Sequence, residues 1–176
     1  RGFERQDLPD APTKLRILLL AIRRLLRAGY VYVGMDHFAR PEDELARALS
    51  DRTLRRNFMG YTTQAGAALL GFGPSAISEL RTSHAQNERE LGAWEQAVRE
   101  RGVATMRGHR LTADDEERRF AITRIMCHGE LLAADWSARF GRAFSDAYAR
   151  ELASLDTLEA DGLVLRASDG SLRVTP

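Results

Sequence analysis

The sequence has very little cysteine and no long apolar run. Cys127 is the only cysteine among 176 residues, which excludes an internal disulfide, and we expect a reducing, cytoplasmic location. The longest apolar run near the start, ILLLAI at 17–22, is far shorter than the roughly 20 residues needed to cross a bilayer. We therefore expect no membrane partner.

The sequence also lacks a strong net charge. Charged residues make up 29% of the chain, yet they nearly cancel to a formal +1. Such a chain is not steered as a whole onto nucleic acid or acidic lipid. Hydrophobic residues make up 44% of the chain, enough for the core of one comfortable domain or two small ones.

The first part of the chain has the helix-then-strand order of an α/β unit. Leucine and isoleucine at helical spacing predict a helix over 14–27, with Thr13 as its cap and Gly29 as its stop. The β-branched and aromatic run YVYVGM at 30–35 predicts a strand. Pro41, followed by three acidic residues, predicts the first turn of a short helix.

A second strand and a further helix are predicted downstream. The run ALLGFG at 68–73 is consistent with a buried strand, in which Gly71 and Gly73 permit the close approach of backbone or a ligand. A helix is predicted over 87–101, with Gly102 as its stop.

From Leu111 onward the pattern is mostly helical. Thr112 and Asp115 resemble a capping box, and Asp169-Gly170 between two strand-like runs is typical of a β-hairpin. Two further helices lie between them, with apolar residues at helical spacing: Leu132, Trp136 and Phe140 in one, and Phe144, Tyr148, Leu152 and Leu155 in the other. Three helices closed by a hairpin is the order of a winged-helix domain. We predict two domains, 1–108 and 109–176.

A winged-helix order invites a DNA-binding interpretation, because such modules often place the third helix in a major groove. The charges here oppose it, since phosphates would repel an acidic helix. The residues concerned are Asp146, Glu151, Asp156, Glu159 and Asp161, against a lone Arg150. We expect no nucleic-acid partner and favour a packing or lid role, with a non-catalytic winged-helix interaction module as an alternative.

Cysteine and histidine do not form a metal-site pattern. Zinc and iron–sulfur sites need about four ligands in spaced pairs, so Cys127 beside His128 predicts a core thiol rather than a metal ligand. His84 and His109 have no partner pattern and are expected on the surface or in loops. We expect no metal site in this chain.

Asp36, His37 and Arg40 form a candidate site by their position in the sequence. If 31–35 is a parallel strand, they lie just past its carboxyl end, where α/β folds build their sites. Arg40 would then suit a bidentate pairing with a carboxylate or another oxyanion. Alternatively, Asp36 caps the following turn and His37 fills a gap in a loop, and residue physics alone leaves both interpretations open.

Three motifs in order resemble a known family. They are GMDHFARPEDELA, then NFMGYTTQAG with LLGFGPSAIS, then SHAQNERELGAWEQAV, and the similarity continues through RGHRLTADDEERR to LEADGLV and VTP. Together they resemble the carboxyl-terminal half of the oxygen-independent coproporphyrinogen III oxidases, also called coproporphyrinogen dehydrogenases.

The resemblance implies a radical S-adenosylmethionine enzyme of haem biosynthesis. Its fold would be α/β, with the last helix–strand units of an incomplete parallel α/β barrel followed by a mostly helical, winged-helix-like domain. Family members bind a [4Fe–4S] cluster through a CxxxCxxC motif and cleave S-adenosylmethionine to a deoxyadenosyl radical. That radical starts the oxidative decarboxylation of two propionates, which converts coproporphyrinogen III to protoporphyrinogen IX.

The CxxxCxxC motif is absent from this sequence. We therefore expect a carboxyl-terminal fragment that lacks the cluster-binding half, has no catalytic residue or metal ligand of its own, and is inactive alone. The implied partners of the full-length parent are coproporphyrinogen III and an external electron donor, and we expect a monomer. A haem chaperone of the same superfamily is the alternative.

The resemblance also assigns roles to individual residues. Ile77 matches a position that contacts S-adenosylmethionine, and Phe58 matches an aromatic residue near the site. Met59 stands where the family typically has glutamine, which removes an amide hydrogen-bonding group. Our own hypothesis is that Asp36, His37 and Arg40 lie at the mouth of the site as substrate-binding residues, with Arg40 facing a substrate carboxylate.

Overall fold

A computed structural model describes residue 4 and residues 7–175 of the chain. They divide into two compact units, of which the first ends at Asp51 and the second begins at Arg52. The predicted division into 1–108 and 109–176 includes residues 1–3, 5, 6 and 176, which lie outside the described residues, and it stays a prediction.

The described part of the first unit contains two helices and a β-hairpin. The elements are α1 (Ala11–Arg27), β1 (Val31–Gly34), β2 (His37–Ala39) and α2 (Glu44–Ser50). The predicted cap at Thr13 is wrong, because Asp10 Oδ1 accepts the Thr13 N–H at 2.9 Å and Pro12 occupies the first turn, where a missing N–H costs no helical bond.

The strand predicted at 30–35 exists, but it is one arm of a hairpin. β1 pairs antiparallel with β2, with Val31 opposite Ala39 and Tyr32 opposite Phe38. The chain reverses at Met35, which has a φ of 54°. The expectation of a parallel strand that ends in a loop is therefore corrected: within the described residues, β1 has no parallel partner. The parallel barrel stays a prediction.

The short helix predicted at Pro41 begins later. The N-cap of α2 is Asp43, whose Oδ1 accepts the Leu45 N–H at 2.8 Å. A side-chain acceptor satisfies a free N–H of the first turn, which proline cannot do, so the cap rather than the proline determines where the helix begins.

The second unit combines short antiparallel strands with helices. Its elements are β3 (Arg55–Asn57), β4 (Gly60–Thr62), β5 (Ile77–Leu80), β6 (Ser83–Asn87), α3 (Leu91–Arg101), β7 (Thr105–Arg110), α4 (Ala113–His128), β8 (Glu130–Leu131), α5 (Ala133–Phe140), α6 (Phe144–Ala147), α7 (Ala149–Ala153), α8 (Asp156–Ala160), β9 (Val164–Arg166) and β10 (Leu172–Val174). Strands β3 and β4 form a hairpin, β5-β6-β7 form one three-stranded sheet, and β8-β10-β9 form another. The mixed α/β class is therefore consistent with the prediction.

Two predicted elements between 68 and 101 need correction. ALLGFG is not a buried strand, because the side chains of Leu70 and Phe72 are 60% and 88% exposed and only Leu69 forms a bridge, to Glu79. The helix predicted from Asn87 begins at Leu91, since Asn87 is the last residue of β6. Its predicted stop at Gly102 is confirmed, with a left-handed φ of 73°.

The carboxyl-terminal residues pack around an aromatic cluster. Trp136 is fully buried, and its ring centroid lies 4.4 Å from that of Phe140 and 4.9 Å from that of Phe144. Leu131 and Leu172, from β8 and β10, complete the cluster and join the small sheet to the helices. Burying such large apolar side chains is the main force that holds these short helices in place.

The helices and hairpin predicted after Leu111 are largely present. The Thr112 capping box and the hairpin of β9 and β10 are confirmed, but the third predicted helix is divided into α6, α7 and α8. Tyr148 interrupts it with a non-helical φ of −131°. The winged-helix assignment stays a prediction. Among the described residues, no helix is long and apolar enough to span a membrane.

Candidate functional site

One face of the β5-β6-β7 sheet collects the polar groups of the candidate site. In the antiparallel register, Gln86 of β6 lies between Ile77 of β5 and Arg107 of β7. His84 lies opposite His109 in the same way. Because side chains alternate along a strand and directly opposed residues share a face, these side chains project on the same side of the sheet.

This face lines a pocket, which we call the sheet pocket. Its volume is about 320 Å³, at the small end of ligand sites. Its lining contains arginine, histidine, amide and apolar groups but no carboxylate: Phe58, Ile77, His84, Ala85, Gln86, Arg107, Gly108 and His109. A pocket with this lining suits a ligand that combines an apolar part with an anionic group.

Phe58 reaches the sheet pocket from the tip of the β3–β4 hairpin. Asn57 pairs with Gly60, so Phe58 and Met59 form the two-residue loop, and Asn57 Oδ1 accepts the Met59 N–H at 2.8 Å. The Phe58 ring meets the His84 ring edge-on, with centroids 5.3 Å apart. Met59 is 82% exposed, so a thioether faces solvent at the residue that is expected to depart from the family pattern.

The β3–β4 hairpin is held by the carboxyl-terminal helices and strands. The Tyr61 hydroxyl donates to the Met126 carbonyl at 3.1 Å, near the end of α4. At the start of the second unit, Arg52 and Arg173 both donate to Glu130, the latter at 3.0 Å. The hydrogen bond from Arg52 holds the pKa of Glu130 below its usual range. The position of Phe58 therefore depends on residues far along the chain.

A glycine-rich loop at 71–76 packs against the start of β5. A Cβ atom on Gly71 would lie 2.7 Å from the Ile77 carbonyl oxygen, so only glycine fits there without a shift. The Asn87 side chain donates to the carbonyls of Gly71 and Gly73, at 3.4 Å and 3.0 Å. The predicted close approach at Gly71 is thus confirmed, and its partner is the backbone of Ile77. Gly73 instead has a left-handed φ of 95°.

Arg107 and His109 have fixed positions at the pocket wall. Arg107 Nε donates to Gln86 Oε1 at 2.9 Å, and Gln86 Nε2 donates to the Ser75 carbonyl at 3.2 Å. His109 Nε2 lies 3.0 Å from Asp115 Oδ2. Hydrogen bonds from the Thr112 backbone and side chain, and then from His109, lower the pKa of Asp115 to about 2. The capping box of α4 therefore also orients a pocket histidine.

The cluster of Asp36, His37 and Arg40 lies in the first unit. Asp36 Oδ1 is 2.9 Å from His37 Nδ1, so the structure brings these two side chains together at the hairpin turn. Arg40 is nearest to Glu42, at 3.9 Å, and 71% of each of these two side chains is exposed. This long, solvated pair leaves the guanidinium available to a ligand.

Cys127 and His128 end α4 beside the arginines of β3. Burial raises the pKa of the Cys127 thiol, as expected for a core thiol. Burial, and then the charges of Arg124 and Arg52, lower the pKa of His128 to about 4, so its imidazole is neutral at pH 7. In the part of the chain that the structure describes, no group of three or more His, Cys, Asp and Glu side chains could hold a metal ion.

The chain is similar to known proteins along nearly its whole length. Residues 111–176 match the family described as the HemN C-terminal domain. The chain is 44% identical over 173 residues to the oxygen-independent coproporphyrinogen III oxidase of Synechocystis sp., and 45% identical over 175 residues to that of Salmonella typhimurium. These matches cover 96% and 99% of this chain.

The chain matches the carboxyl-terminal part of the oxygen-independent coproporphyrinogen III oxidase family. The resemblance predicted from three motifs is confirmed. The solved structure of coproporphyrinogen III oxidase (HemN) from Escherichia coli, described as a radical SAM enzyme, matches with a TM-score of 0.90 at 43% identity. That match covers 98% of this chain and 40% of the other. The chain spans 37% and 38% of the length of the two relatives above.

Sequence reasoning found part of the sheet pocket. Phe58 and Ile77, the two residues that the resemblance placed at or near a cofactor site, both line the pocket. His84 was expected on the surface or in a loop, but it is a half-buried strand residue of the pocket wall. The surface position expected for His109 is confirmed, since its side chain is 61% exposed. Gln86 and Arg107 were missed. The available signal was the alternation of polar residues along two neighbouring strands.

Proposed function

We propose that this chain is the carboxyl-terminal part of an oxygen-independent coproporphyrinogen III oxidase. The full-length enzyme would convert coproporphyrinogen III to protoporphyrinogen IX in haem biosynthesis, by radical oxidative decarboxylation of two propionates. The observation that carries this proposal is the match to the Escherichia coli oxidase over 98% of this chain, at 43% identity. Since the relatives described above are all named oxidases, we prefer this function to that of a haem chaperone.

A [4Fe–4S] cluster does not fit the residues of this chain. Cys127 is the only cysteine, it is buried, and burial raises the pKa of its thiol. A cluster needs several thiolates. We therefore assign the cluster to the rest of the full-length protein, and no step of the reaction is assigned to a metal ligand here.

S-adenosylmethionine fits the sheet pocket better. Ile77 and Phe58 supply apolar surface, and Gln86 and Arg107 supply hydrogen-bond donors. When bound, S-adenosylmethionine would itself be the precursor of the radical. The part of these residues would be to hold one end of the cofactor and to keep water from it. The exposed thioether of Met59 cannot replace the donors and acceptor of the amide that is typical of the family.

Asp36, His37 and Arg40 would bind the substrate. Arg40 has only a long, solvated contact with Glu42, and a guanidinium pairs well with the carboxylate of a propionate. In the full-length protein, we expect Arg40→Ala to weaken coproporphyrinogen binding by roughly 10-fold or more. Arg47→Ala is the control, since Arg47 is an exposed arginine of the same unit on α2. Equal affinities in the two variants would exclude a role for Arg40.

An anaerobic assay of the full-length protein tests the function. We expect protoporphyrinogen IX from coproporphyrinogen III only when S-adenosylmethionine and a reductant are both present. Haem binding without conversion would instead identify a haem chaperone. The external electron donor, the monomeric state and the cytoplasmic location stay predictions.

A further inference from the structure

We propose that Arg107 binds a carboxylate group of the ligand in the sheet pocket. The proposal rests on the proposed function, because that function gives the pocket two carboxylate-bearing ligands. One is the methionyl end of S-adenosylmethionine, and the other is a propionate of the porphyrinogen. The chemistry of recognition is the same for both.

Arg107 has hydrogen-bond donors that no described residue of this chain uses. Its Nε donates to Gln86, and among the described residues it has no other hydrogen bond and no carboxylate partner. Other arginines of the second unit are engaged: Arg118, Arg142 and Arg166 all form ion pairs. The two terminal nitrogens of Arg107 therefore keep the parallel N–H groups that match a planar carboxylate.

The guanidinium is also oriented before a ligand arrives. Gln86 is itself held, because its Nε2 donates to the Ser75 carbonyl at 3.2 Å while its Oε1 accepts from Arg107. Ser75 has a φ of 59°, an unusual conformation that the 71–76 loop maintains through contacts such as the hydrogen bond from the Ser75 N–H to the Glu88 carbonyl. A side chain fixed in this way loses less freedom on binding.

The charges around Arg107 also favour a carboxylate ligand. No carboxylate lines the sheet pocket. Two acids lie near this face. Asp115 is engaged by His109 and by the Thr112 cap, and Glu79 lies opposite His84, two residue pairs further along than Ile77 and Gln86. Since β5 and β7 lie on opposite sides of β6, Glu79 is separated from Arg107 by about 10 Å across the strands alone. Arg107 belongs to an exposed strand and Phe58 is 53% exposed, so solvent reaches the guanidinium, and recognition would rest on the match between its planar fork and a carboxylate.

The test compares ligands that differ only in the carboxylate. Full-length wild-type, Arg107→Met and Arg110→Met proteins are titrated with S-adenosylmethionine and its decarboxylated form, and with coproporphyrin III and its tetramethyl ester. Arg110 is the matched control, because it is an exposed arginine of the same strand, three residues on, and alternation places it on the opposite face.

We expect the wild type to prefer the free carboxylate by roughly 10- to 100-fold. Arg107→Met should abolish the preference for the free carboxylate either in the S-adenosylmethionine pair or in the coproporphyrin pair, and leave the preference in the other pair intact. The pair that loses its preference identifies the source of the carboxylate. Arg110→Met should keep both preferences. If Arg107→Met also keeps both, the inference is overturned while the proposed function stands. If the wild type binds none of the four compounds, the proposed function and the inference both fail.

Arg107→Lys provides a second variant with the charge retained. Lysine lacks the planar fork of N–H groups that arginine offers to a carboxylate. We therefore expect the preference for the free carboxylate to fall in this variant but not to vanish. An Arg107→Lys protein that discriminates as well as the wild type would show that a point charge suffices, and it would overturn the bidentate pairing. This variant also decides the matter if Arg107→Met does not fold.

Discussion

Replacing Gly71 with alanine tests how tightly the 71–76 loop is packed on β5. A Cβ atom there would lie 2.7 Å from the Ile77 carbonyl oxygen and 2.9 Å from the Ile77 nitrogen, distances that real Cβ atoms essentially never show. The backbone of β5 cannot rotate away as a side chain could, because Ile77 is paired with Gln86. The added methyl group therefore has to displace either the loop or the strand.

Two other glycines provide a graded series. A Cβ on Gly108 would lie 3.2 Å from the His84 carbonyl oxygen, and one on Gly92 would meet nothing within 4 Å. None of the three has a left-handed φ, so steric contact is the variable that differs most. Overpacking costs about 1–3 kcal/mol, which we expect for Gly71→Ala. Gly92 is the second residue of α3, where glycine costs less than in a helix interior, so Gly92→Ala should stabilise the chain by less than about 1 kcal/mol.

Thermal unfolding of the 176-residue chain, followed by circular dichroism, measures the series. For a chain of this size, 1 kcal/mol corresponds to about 2–4 °C in Tm. We expect Gly71→Ala to lower Tm by about 2–12 °C, Gly108→Ala to lower it less, and Gly92→Ala to raise it slightly. The reasoning is refuted if Gly71→Ala melts at or above the Gly92→Ala variant.

Two further predictions concern the second unit. Glu130→Gln removes the carboxylate that Arg52 and Arg173 share, and it should lower the free energy of unfolding by about 1–3 kcal/mol. The control is Glu95→Gln, because Glu95 forms an exposed ion pair on α3. An equal loss of stability in both variants would contradict this prediction. Because burial lowers the pKa of His128 from 6.5 to about 4, only the unfolded chain gains this proton between those pH values. The free energy of unfolding should therefore fall as the pH is lowered through that range. Urea unfolding at several pH values should show a shallower fall for His128→Gln than for the wild type. Identical slopes of the free energy of unfolding against pH would show that His128 does not contribute.

Local features of the fold could be predicted because they depend on neighbouring residues. The capping box of Thr112 and Asp115 and the stop at Gly102 each involve atoms within about one helical turn. The hairpin at Asp169-Gly170 needs only a turn between two short strands. The errors in this class are shifts of a few residues, as at Asp10 and Asp43, where two possible caps stood close together.

The pairing of strands was harder to predict. A short apolar run such as YVYVGM is a strand in either a parallel or an antiparallel arrangement, and only its partner distinguishes them. Its pairing with β2 places Asp36 in a turn instead of beyond the end of a strand. The strand predicted at ALLGFG was wrong for a different reason. Its apolar residues suggested a strand, but the close approach of Gly71 to Ile77 fixes a loop there.

The sequence by itself determined the resemblance to the oxidase family, the mixed α/β class and the absence of cluster ligands from this chain, since each depends on which residues are present and in what order. Only the tertiary structure decided that Ile77, Gln86 and Arg107 form one row of a sheet face and that Phe58 closes over His84. The physical reason is register. Residues far apart in sequence become neighbours only when particular strands pair, and a shift of one residue would turn each of these side chains to the other face.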